Sequence, residues 1–287
     1  MIVGSFSKIP KKESSHSFGY ARTWSENLNV PIDHQNNKHK NVYLLPGANF
    51  AGSINLMGGF NDIIKRHIDN LLAAETITIL DGPPAEYGEQ LKKRKDVEDK
   101  AWCDAITQKL AESKSIVGSD LSHDWLSIGD SHVCAYAREN SSVVKQDGTT
   151  LFGQVKEDFA YIKSHIKPHH KGITISLGNI DVRHHLCRVE NSISTIFEER
   201  KLPKTGYYKG RPFWGTREER IEAAKSIEAW MYVKNMNIVK CPKEWYDMDP
   251  AVYAAERMEK PQSVHLNPMF YRRQNWGQVN NTLEGFM

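Results

Sequence analysis

Short runs of hydrophobic residues alternate along the chain with longer segments in which hydrophobic residues recur every three or four positions. The short runs predict β-strands, which we place at 42–45, 76–80, 125–128, 142–144, 173–177 and 238–239. The longer segments predict helices at 60–75, 87–113, 155–166, 216–231 and 249–258. Strands that alternate with helices indicate a parallel sheet covered on both faces, so the predicted fold class is α/β.

Two polar stretches interrupt this alternation. Residues 1–41 are rich in Ser, His, Asn and Lys, and we expect them to form an extended arm or loop that folds over the body. The stretch 118–124 is also polar and predicts a domain boundary. The expected organisation is therefore an N-terminal arm and α/β region at 1–120, followed by a second α/β domain at 121–287.

The composition limits the classes of protein to which the chain can belong. The 287 residues are 39% hydrophobic and 25% charged, which is ordinary for a soluble globular protein. No apolar run has membrane-spanning length and the first residues lack a secretory signal, so we expect a cytoplasmic protein that does not contact membranes. The four cysteines, Cys103, Cys134, Cys187 and Cys241, lack paired metal-ligand spacing and are expected to be free thiols. The net charge of +3 permits an anionic partner such as nucleic acid without indicating one.

The predicted strand 125–128 ends abruptly in Gly-Asp-Ser-His at 129–132. A serine directly after a strand lies at the carboxyl edge of the sheet, where open α/β folds bind their ligands. A histidine from elsewhere in the chain can activate such a hydroxyl as a nucleophile. The alternative interpretation is structural, with Asp130 and Ser131 serving only to cap the next helix.

Two further polar segments occupy comparable positions. Residues 178–185 follow the predicted strand 173–177, and His265 precedes a predicted helix that begins at 269. In a parallel sheet these segments and the serine turn meet at one edge.

In these segments the chain resembles the SGNH/GDSL hydrolase superfamily. Gly-Asp-Ser at 129–131 matches the first block of that family, and Gly-Asn-Ile-Asp at 178–181 resembles the third. Ser-Val-His-Leu-Asn-Pro at 263–268 resembles the last block, and Gly148 or Gly153 is the candidate for the second. The resemblance implies a flavodoxin-like three-layer sandwich that needs no cofactor.

The resemblance also implies acyl transfer, with Ser131 as nucleophile and His265 as its general base. The oxyanion would be stabilised by the amide of Ser131, by the second-block glycine and by the Gly178-Asn179 segment. Two positions depart from the family. Ile180 stands where the family has asparagine, and Gln262 stands where it has the aspartate that orients the histidine. Asp130, Asp181 or a backbone carbonyl would then have to orient His265.

The polar group after the third block has two interpretations. Arg183, with His184 beside it, is a candidate clamp for a phosphate or carboxylate, because a guanidinium makes bidentate contacts. Alternatively, Asp181 and Arg183 pair with each other to hold the loop. The histidines at 169, 170, 184 and 185 match no metal-ligand spacing, so no metal site is expected.

Three functions remain open from the sequence. The first is a serine esterase or acyltransferase that acts on an ester of a sugar or another small hydroxyl compound. The second is a nucleotide-sugar glycosyltransferase, because residues 53–59 resemble viral DNA glucosyltransferases and Arg183, Lys209 and Arg211 would bind a diphosphate. The third is a catalytically inactive binding module of the SGNH fold, which the substitution at Gln262 suggests.

Overall fold

The computed structural model describes residues 1–4, 16–45, 62–81, 91–93, 97–186, 193–201, 215–234, 236, 248–258 and 267. These residues form an α/β structure in which two parallel sheets are flanked by helices. The predicted fold class is confirmed, and the strand arrangement is consistent with a flavodoxin-like fold. No helix in the described ranges is long and apolar enough to cross a membrane.

The first sheet contains the strands in their chain order, β1-β2-β3-β4, and all neighbours are parallel. Its strands are β1 (Ile2–Gly4), β2 (Asn41–Leu45), β3 (Thr76–Leu80) and β4 (Lys114–Ile116). The helices between them are α1 (His16–Leu28), α2 (Asp62–Ala73) and α3 (Lys100–Ala111). Each crossover therefore adds a strand on the same side of the previous one.

The second sheet has a different order, β6-β5-β7, again with parallel neighbours. Its strands are β5 (Trp125–Gly129), β6 (Ser141–Lys145) and β7 (Gly172–Ser176). The helices among them are α4 (Val133–Tyr136), α5 (Leu151–Lys156) and α6 (Ala160–His165), and α7 (Ile193–Glu199), α8 (Arg217–Val233) and α9 (Pro250–Arg257) follow. The chain adds β6 on one side of β5 and then returns to add β7 on the other.

Separate apolar clusters hold the two sheets, and a shared cluster joins them. Leu44 and Ile79 lie in the cluster of the first sheet, whereas Leu126 and Ile128 lie in that of the second, and none of the four is exposed. The shared cluster combines residues from both halves, namely Ile2, Tyr20, Ala21, Trp24, Leu45, Leu80, Val133, Cys134, Ala137 and Val143. Burying such apolar surface is the dominant favourable contribution to folding, so both sheets contribute to one hydrophobic interior.

The prediction of an extended N-terminal arm is wrong for the described part of that segment. β1 pairs with β2, and helix α1 buries Tyr20 and Trp24, which lie four positions apart on one helical face. Both side chains donate to the carboxylate of Asp81, the Trp24 indole at 3.2 Å. The polar composition concealed these elements because the two aromatic side chains alone supply most of the buried face.

Two predicted helices are shorter than expected. Residues 97–99 are not helical, and α3 begins at Lys100 because the Asp99 side chain accepts the backbone N–H of Trp102 at 2.9 Å. The predicted helix 155–166 is divided into α5 and α6 at Phe159, whose φ of 55° lies in the left-handed region. Both corrections reflect local backbone features that hydrophobic periodicity does not contain.

The bounds of the remaining elements lie close to the predicted ones. The other predicted strands within the described ranges are present, and α2, α8 and α9 lie inside the predicted helices or within two residues of their ends. Helix α8 begins with a capping box between Thr216 and Glu219, and it buries Ala223, Ile227 and Trp230. β4 was not expected, since its three residues include two exposed ones. The predicted strand 238–239 and the helix from 269 lie outside the described residues.

Candidate functional site

The change of direction in the second sheet marks the place where a ligand-binding crevice is expected. In open α/β sheets, ligands bind outside the carboxyl ends of the strands at the point where the strand order reverses. That point lies between β5 and β7, because β6 lies on one side of β5 and β7 on the other. We call the carboxyl ends of these strands, with residues 129–132 and 177–184, the switch crevice.

Gly129 brings the serine turn close to β7. A Cβ at this position would lie 2.1 Å from the carbonyl oxygen of Ser176, so no other residue fits without backbone movement. The next backbone N–H, that of Asp130, donates to the same carbonyl at 3.0 Å. The turn therefore starts as a continuation of the β5–β7 ladder.

The side chain of Asp130 shapes the rest of the turn. Its Oδ1 accepts the backbone N–H of His132 at 2.8 Å and lies 3.0 Å from Nδ1 of the His132 ring. Asp130 and His132 are only 1% and 3% exposed, whereas Ser131 between them is half-buried. Ser131 is thus the residue of this turn that the fold presents toward solvent.

This geometry does not match the capping interpretation. Helix α4 has His132 at its N-cap position, without a side-chain cap, and its first residue is Val133. A capping aspartate or serine would occupy that position and accept a backbone N–H two or three residues later within the helix. The Asp130 carboxylate bonds within the turn instead, and its second oxygen, Oδ2, is buried without a hydrogen-bond partner among the described residues.

The β7 loop forms the opposite wall. Gly178 is buried and has φ of +100°, which favours glycine, and no atom of the described residues beyond its chain neighbours lies within 4 Å of the position that a Cβ would occupy. Asn179 follows, and its Oδ1 is buried without a hydrogen-bond partner in the described part of the chain. Its backbone carbonyl accepts Nε of Arg183 at 3.2 Å. The chain therefore turns at Gly178 into a short helical turn that contains Asn179 and Arg183.

Asp181 has a structural role at the start of α5. Its Oδ2 accepts the backbone N–H of Leu151 at 2.7 Å, and its Oδ1 accepts that of Phe152 at 2.9 Å. The residue is fully buried, and burial raises the pKa of its carboxyl group while the two N–H bonds oppose that shift. The carboxylate is thus engaged with α5, which argues against the alternative interpretation in which it pairs with Arg183 and against a catalytic use.

The two glycines proposed for the second block, Gly148 and Gly153, differ in their hydrogen bonds and backbone conformation. The N–H of Gly153 already donates to Thr150 Oγ1 at 2.9 Å, as part of the N-cap of α5. It is therefore unsuited to bind an oxyanion, which corrects its prediction. Gly148 lies in the loop after β6 with φ of +80° and open space around its Cβ position, and it stays the candidate.

Charged groups around Arg183 act on one another. Burial lowers the pKa of the Arg183 guanidinium, the Asp130 carboxylate raises it, and the charge of Arg220 in the first turn of α8 lowers it. The pKa of His184 is lowered by burial, by Arg183 and by His185. The charges of Asp130 and Arg220 thus both act on Arg183, and Arg220 is a residue that sequence reasoning missed.

Several predicted residues cannot be located relative to this crevice. His265, Gln262, Lys209, Arg211 and the segment 53–59 lie outside the described residues. Within the described ranges, no group of three or more His, Cys, Asp or Glu side chains could hold a metal ion.

Comparisons of the chain with protein-family models, curated proteins and solved structures found no match. The resemblance to SGNH hydrolases therefore rests on the motifs and on where the fold places the described ones.

Proposed function

We propose that the protein is a serine esterase or acyltransferase that uses Ser131 on an ester of a sugar or another small hydroxyl compound. The observation that carries the proposal is the exposure of Ser131 between two buried neighbours at the end of the central strand. The turn follows β5, whose neighbour β7 leads into Gly178 and the helical turn of Asn179 and Arg183, and ligands of such folds bind at this edge of the sheet.

The chemistry follows from this placement. The Ser131 hydroxyl oxygen would form a bond to the ester carbonyl carbon as its proton passes to a base, and collapse of the tetrahedral intermediate would release the alcohol. The backbone N–H of Ser131, Gly148 and the amide of Asn179 are the candidate oxyanion donors. His265 stays the predicted base. Asp130 is a better candidate than Asp181 to orient it, because its Oδ2 has no partner among the described residues.

Steady-state hydrolysis of 4-nitrophenyl acetate tests the proposal. Ser131→Ala should lower kcat/KM by on the order of 10³ or more, as expected when a nucleophile is lost. Ser164→Ala is the matched control, because Ser164 is an exposed serine of α6, and it should retain wild-type activity. Equal activity in Ser131→Ala and the wild type would contradict the nucleophile assignment.

The other functions predict different results. A nucleotide-sugar glycosyltransferase would cleave no simple ester, and nucleotide sugars would raise its melting temperature by binding the folded state. An inactive binding module would cleave none of these compounds and would leave Ser131 unmodified by acylating reagents. A melting-temperature screen run beside the ester assay separates these cases.

A further inference from the structure

The carboxylate of Asp130 is held by its neighbour His132. Its Oδ1 accepts the backbone N–H of His132 at 2.8 Å and lies 3.0 Å from Nδ1 of the imidazole ring. A carboxylate oxygen accepts hydrogen bonds and cannot donate them, so the ring proton of this bond must be on Nδ1. The side chains of His132 and Asp130 are only 2% and 1% exposed, so water competes little for these bonds.

The backbone on both sides of this pair is fixed as well. The Asp130 N–H donates to the Ser176 carbonyl at 3.0 Å, and the Asp130 carbonyl accepts the N–H of Val133 at 3.1 Å. The His132 carbonyl accepts the N–H of Ala135, in helix α4, at 2.8 Å. Because the main chain is held in this way, the two bonds from His132 restrict the Asp130 carboxylate to one orientation.

That orientation leaves the second carboxylate oxygen, Oδ2, outside both bonds. Oδ2 is buried and has no hydrogen-bond partner among the described residues. A buried polar atom without a partner is costly, and such exceptions are expected mainly at functional sites. Ser131, the proposed nucleophile, stands between Asp130 and His132 in the chain. The pair is therefore placed to serve the same reaction.

We propose that His132 is a positioning residue, which fixes the Asp130 carboxylate so that Oδ2 can accept the ring N–H of the general base that activates Ser131. The inference rests on the proposed function, because it assigns a role within the same site. A carboxylate in this role keeps the base in the correct tautomer and stabilises its charged form, which requires the carboxylate to be correctly oriented. His132 acts through Asp130 and does not itself receive the serine proton.

Two substitutions separate the hydrogen-bond donor of His132 from the volume of its ring. His132→Phe keeps a ring and removes the Nδ1–H, whereas His132→Asn gives up ring volume and keeps an amide N–H near the position of Nδ1. In hydrolysis of 4-nitrophenyl acetate, His132→Phe should lower kcat about tenfold or more with little change in KM, because a bond to a charged group is lost and substrate contacts are not. His132→Asn should restore most of this loss.

Two kinetic results would overturn the inference. If His132 only fills space, His132→Phe should be the active variant and His132→Asn the impaired one. A fall in His132→Phe as large as that of Ser131→Ala would make His132 the general base and not a positioning residue.

A double-mutant cycle tests whether His132 acts through Asp130. Asp130→Asn alone should lower kcat more than His132→Phe does, and His132→Phe should have little further effect in that background, since the carboxylate to be oriented is gone. Two losses that multiply would overturn the inference. His165→Phe is the matched control, because Nδ1 of His165 lies 2.9 Å from the Tyr161 carbonyl within α6, and it should retain the wild-type kcat. An equal fall in this control would count against a specific role of His132.

A nuclear magnetic resonance measurement tests the pairing without any ester. In protein with isotope-labelled histidine, the ring signals that are lost in His132→Phe, or in His132→Asn if the first variant does not fold, belong to His132. We expect a proton on Nδ1 whose signal shifts in Asp130→Asn. A ring protonated only on Nε2 would overturn the inference and leave the proposed function intact. Full ester cleavage by Ser131→Ala would instead contradict the proposed function, whatever the state of the His132 ring.

Discussion

Each of the two sheets ends a strand with an aspartate, but the surroundings of these aspartates differ. Asp81 follows β3, and its carboxylate accepts the Tyr20 hydroxyl, the Trp24 indole N–H and the Gly118 backbone N–H. Asp130 follows β5, and among the described residues its carboxylate bonds only to His132 of its own turn, with one oxygen left buried and without a partner. The first aspartate is half-buried and receives its hydrogen bonds from other elements, whereas the second is only 1% exposed and one of its carboxylate oxygens has no partner among the described residues.

Strand order explains this difference. In the first sheet each crossover continues in one direction, so α1 and the linker at Gly118 can close over the end of β3. In the second sheet the direction reverses at β5, so the carboxyl ends of β5 and β7 lie at a switch point of the strand order. Desolvation raises the pKa of Asp81 to about 8, against the Gly118 N–H and Lys145, so this carboxyl group is mostly protonated at neutral pH and serves to join β3 to its neighbours. Similar residues thus acquire different roles from topology.

The largest expected loss of stability comes from a substitution at Gly129, at the end of β5. Gly129→Ala would place a Cβ 2.1 Å from the Ser176 carbonyl oxygen, so it should cost about 3 kcal/mol or more in the free energy of unfolding. Gly148→Ala is the control, because it meets no neighbour and bears only the left-handed backbone cost of about 1–2 kcal/mol. Denaturant titration measures both, and equal stabilities of the two variants would refute the close β5–β7 contact.

A matched pair of core variants tests whether the two sheets unfold together. Leu44→Ala in β2 and Leu126→Ala in β5 both remove fully buried side chains and should each cost about 2–5 kcal/mol. Because the shared cluster joins the sheets, each variant should shift one common denaturant transition. Two transitions, each moved by only one variant, would show that the sheets unfold as separate domains.

Acid should weaken the second sheet at the edge opposite the crevice. His170 is 5% exposed, its Nδ1 accepts the Lys167 N–H at 3.0 Å, and burial, aided by His169, Lys167 and His123, lowers its pKa from 6.5 to about 4. The unfolded chain therefore binds a proton at His170 below pH 6.5, whereas the folded protein binds it only below about pH 4.

The contribution of His170 to the free energy of unfolding should thus be fully present above pH 6.5 and fall by about 2 kcal/mol as the pH drops to 4. This loss is smaller than the full pKa shift of His170 implies, because water screens part of the histidine cluster. His170→Asn keeps an acceptor for the Lys167 N–H and should abolish this component. Unfolding measured from pH 4 to 8 checks it, and an identical pH profile in the variant would assign the loss to other groups.

A smaller effect is expected from Asp181→Asn. The amide can accept only one of the two N–H bonds from α5, so the variant should lose about 1–3 kcal/mol. Ester cleavage per folded molecule should stay within about twofold, since the side chain supports α5 and not the reaction. Asp158→Asn, which removes an exposed ion pair with Lys163, should change neither quantity. A large loss of activity at full stability would return Asp181 to the catalytic residues.

Hydrophobic periodicity and chain-breaking residues predict many of the strands and helices of this fold. They predict few of the hydrogen bonds that connect these elements. The strand 125–128 and the turn at Gly129 were predictable because an apolar run and a glycine are local signals. The cap that Asp181 provides to Leu151 and Phe152 was not, because it joins residues about thirty positions apart. Position in sequence suggested an Asp181–Arg183 pair, whereas folding brought the carboxylate to the nearest unsatisfied helix N–H groups.

The candidate site was likewise predictable only in part. Ser131, Gly178 and Arg183 could be selected because each follows or lies near a strand end, and parallel strands share a carboxyl edge. The order β6-β5-β7, which makes that edge a crevice, depends on pairing between distant segments. Arg220 carried no signal, because a basic residue in the first turn of an amphipathic helix is indistinguishable from a solvated one.

The central claim is that the fold presents Ser131 as a nucleophile in the switch crevice. The most direct test is to treat the native protein with a fluorophosphonate and to locate the adduct by peptide mass spectrometry. We predict one adduct per chain, on Ser131, which is absent from Ser131→Ala and from protein unfolded before treatment. A native protein that stays unmodified, or that is labelled equally on other exposed serines such as Ser164, would contradict the claim.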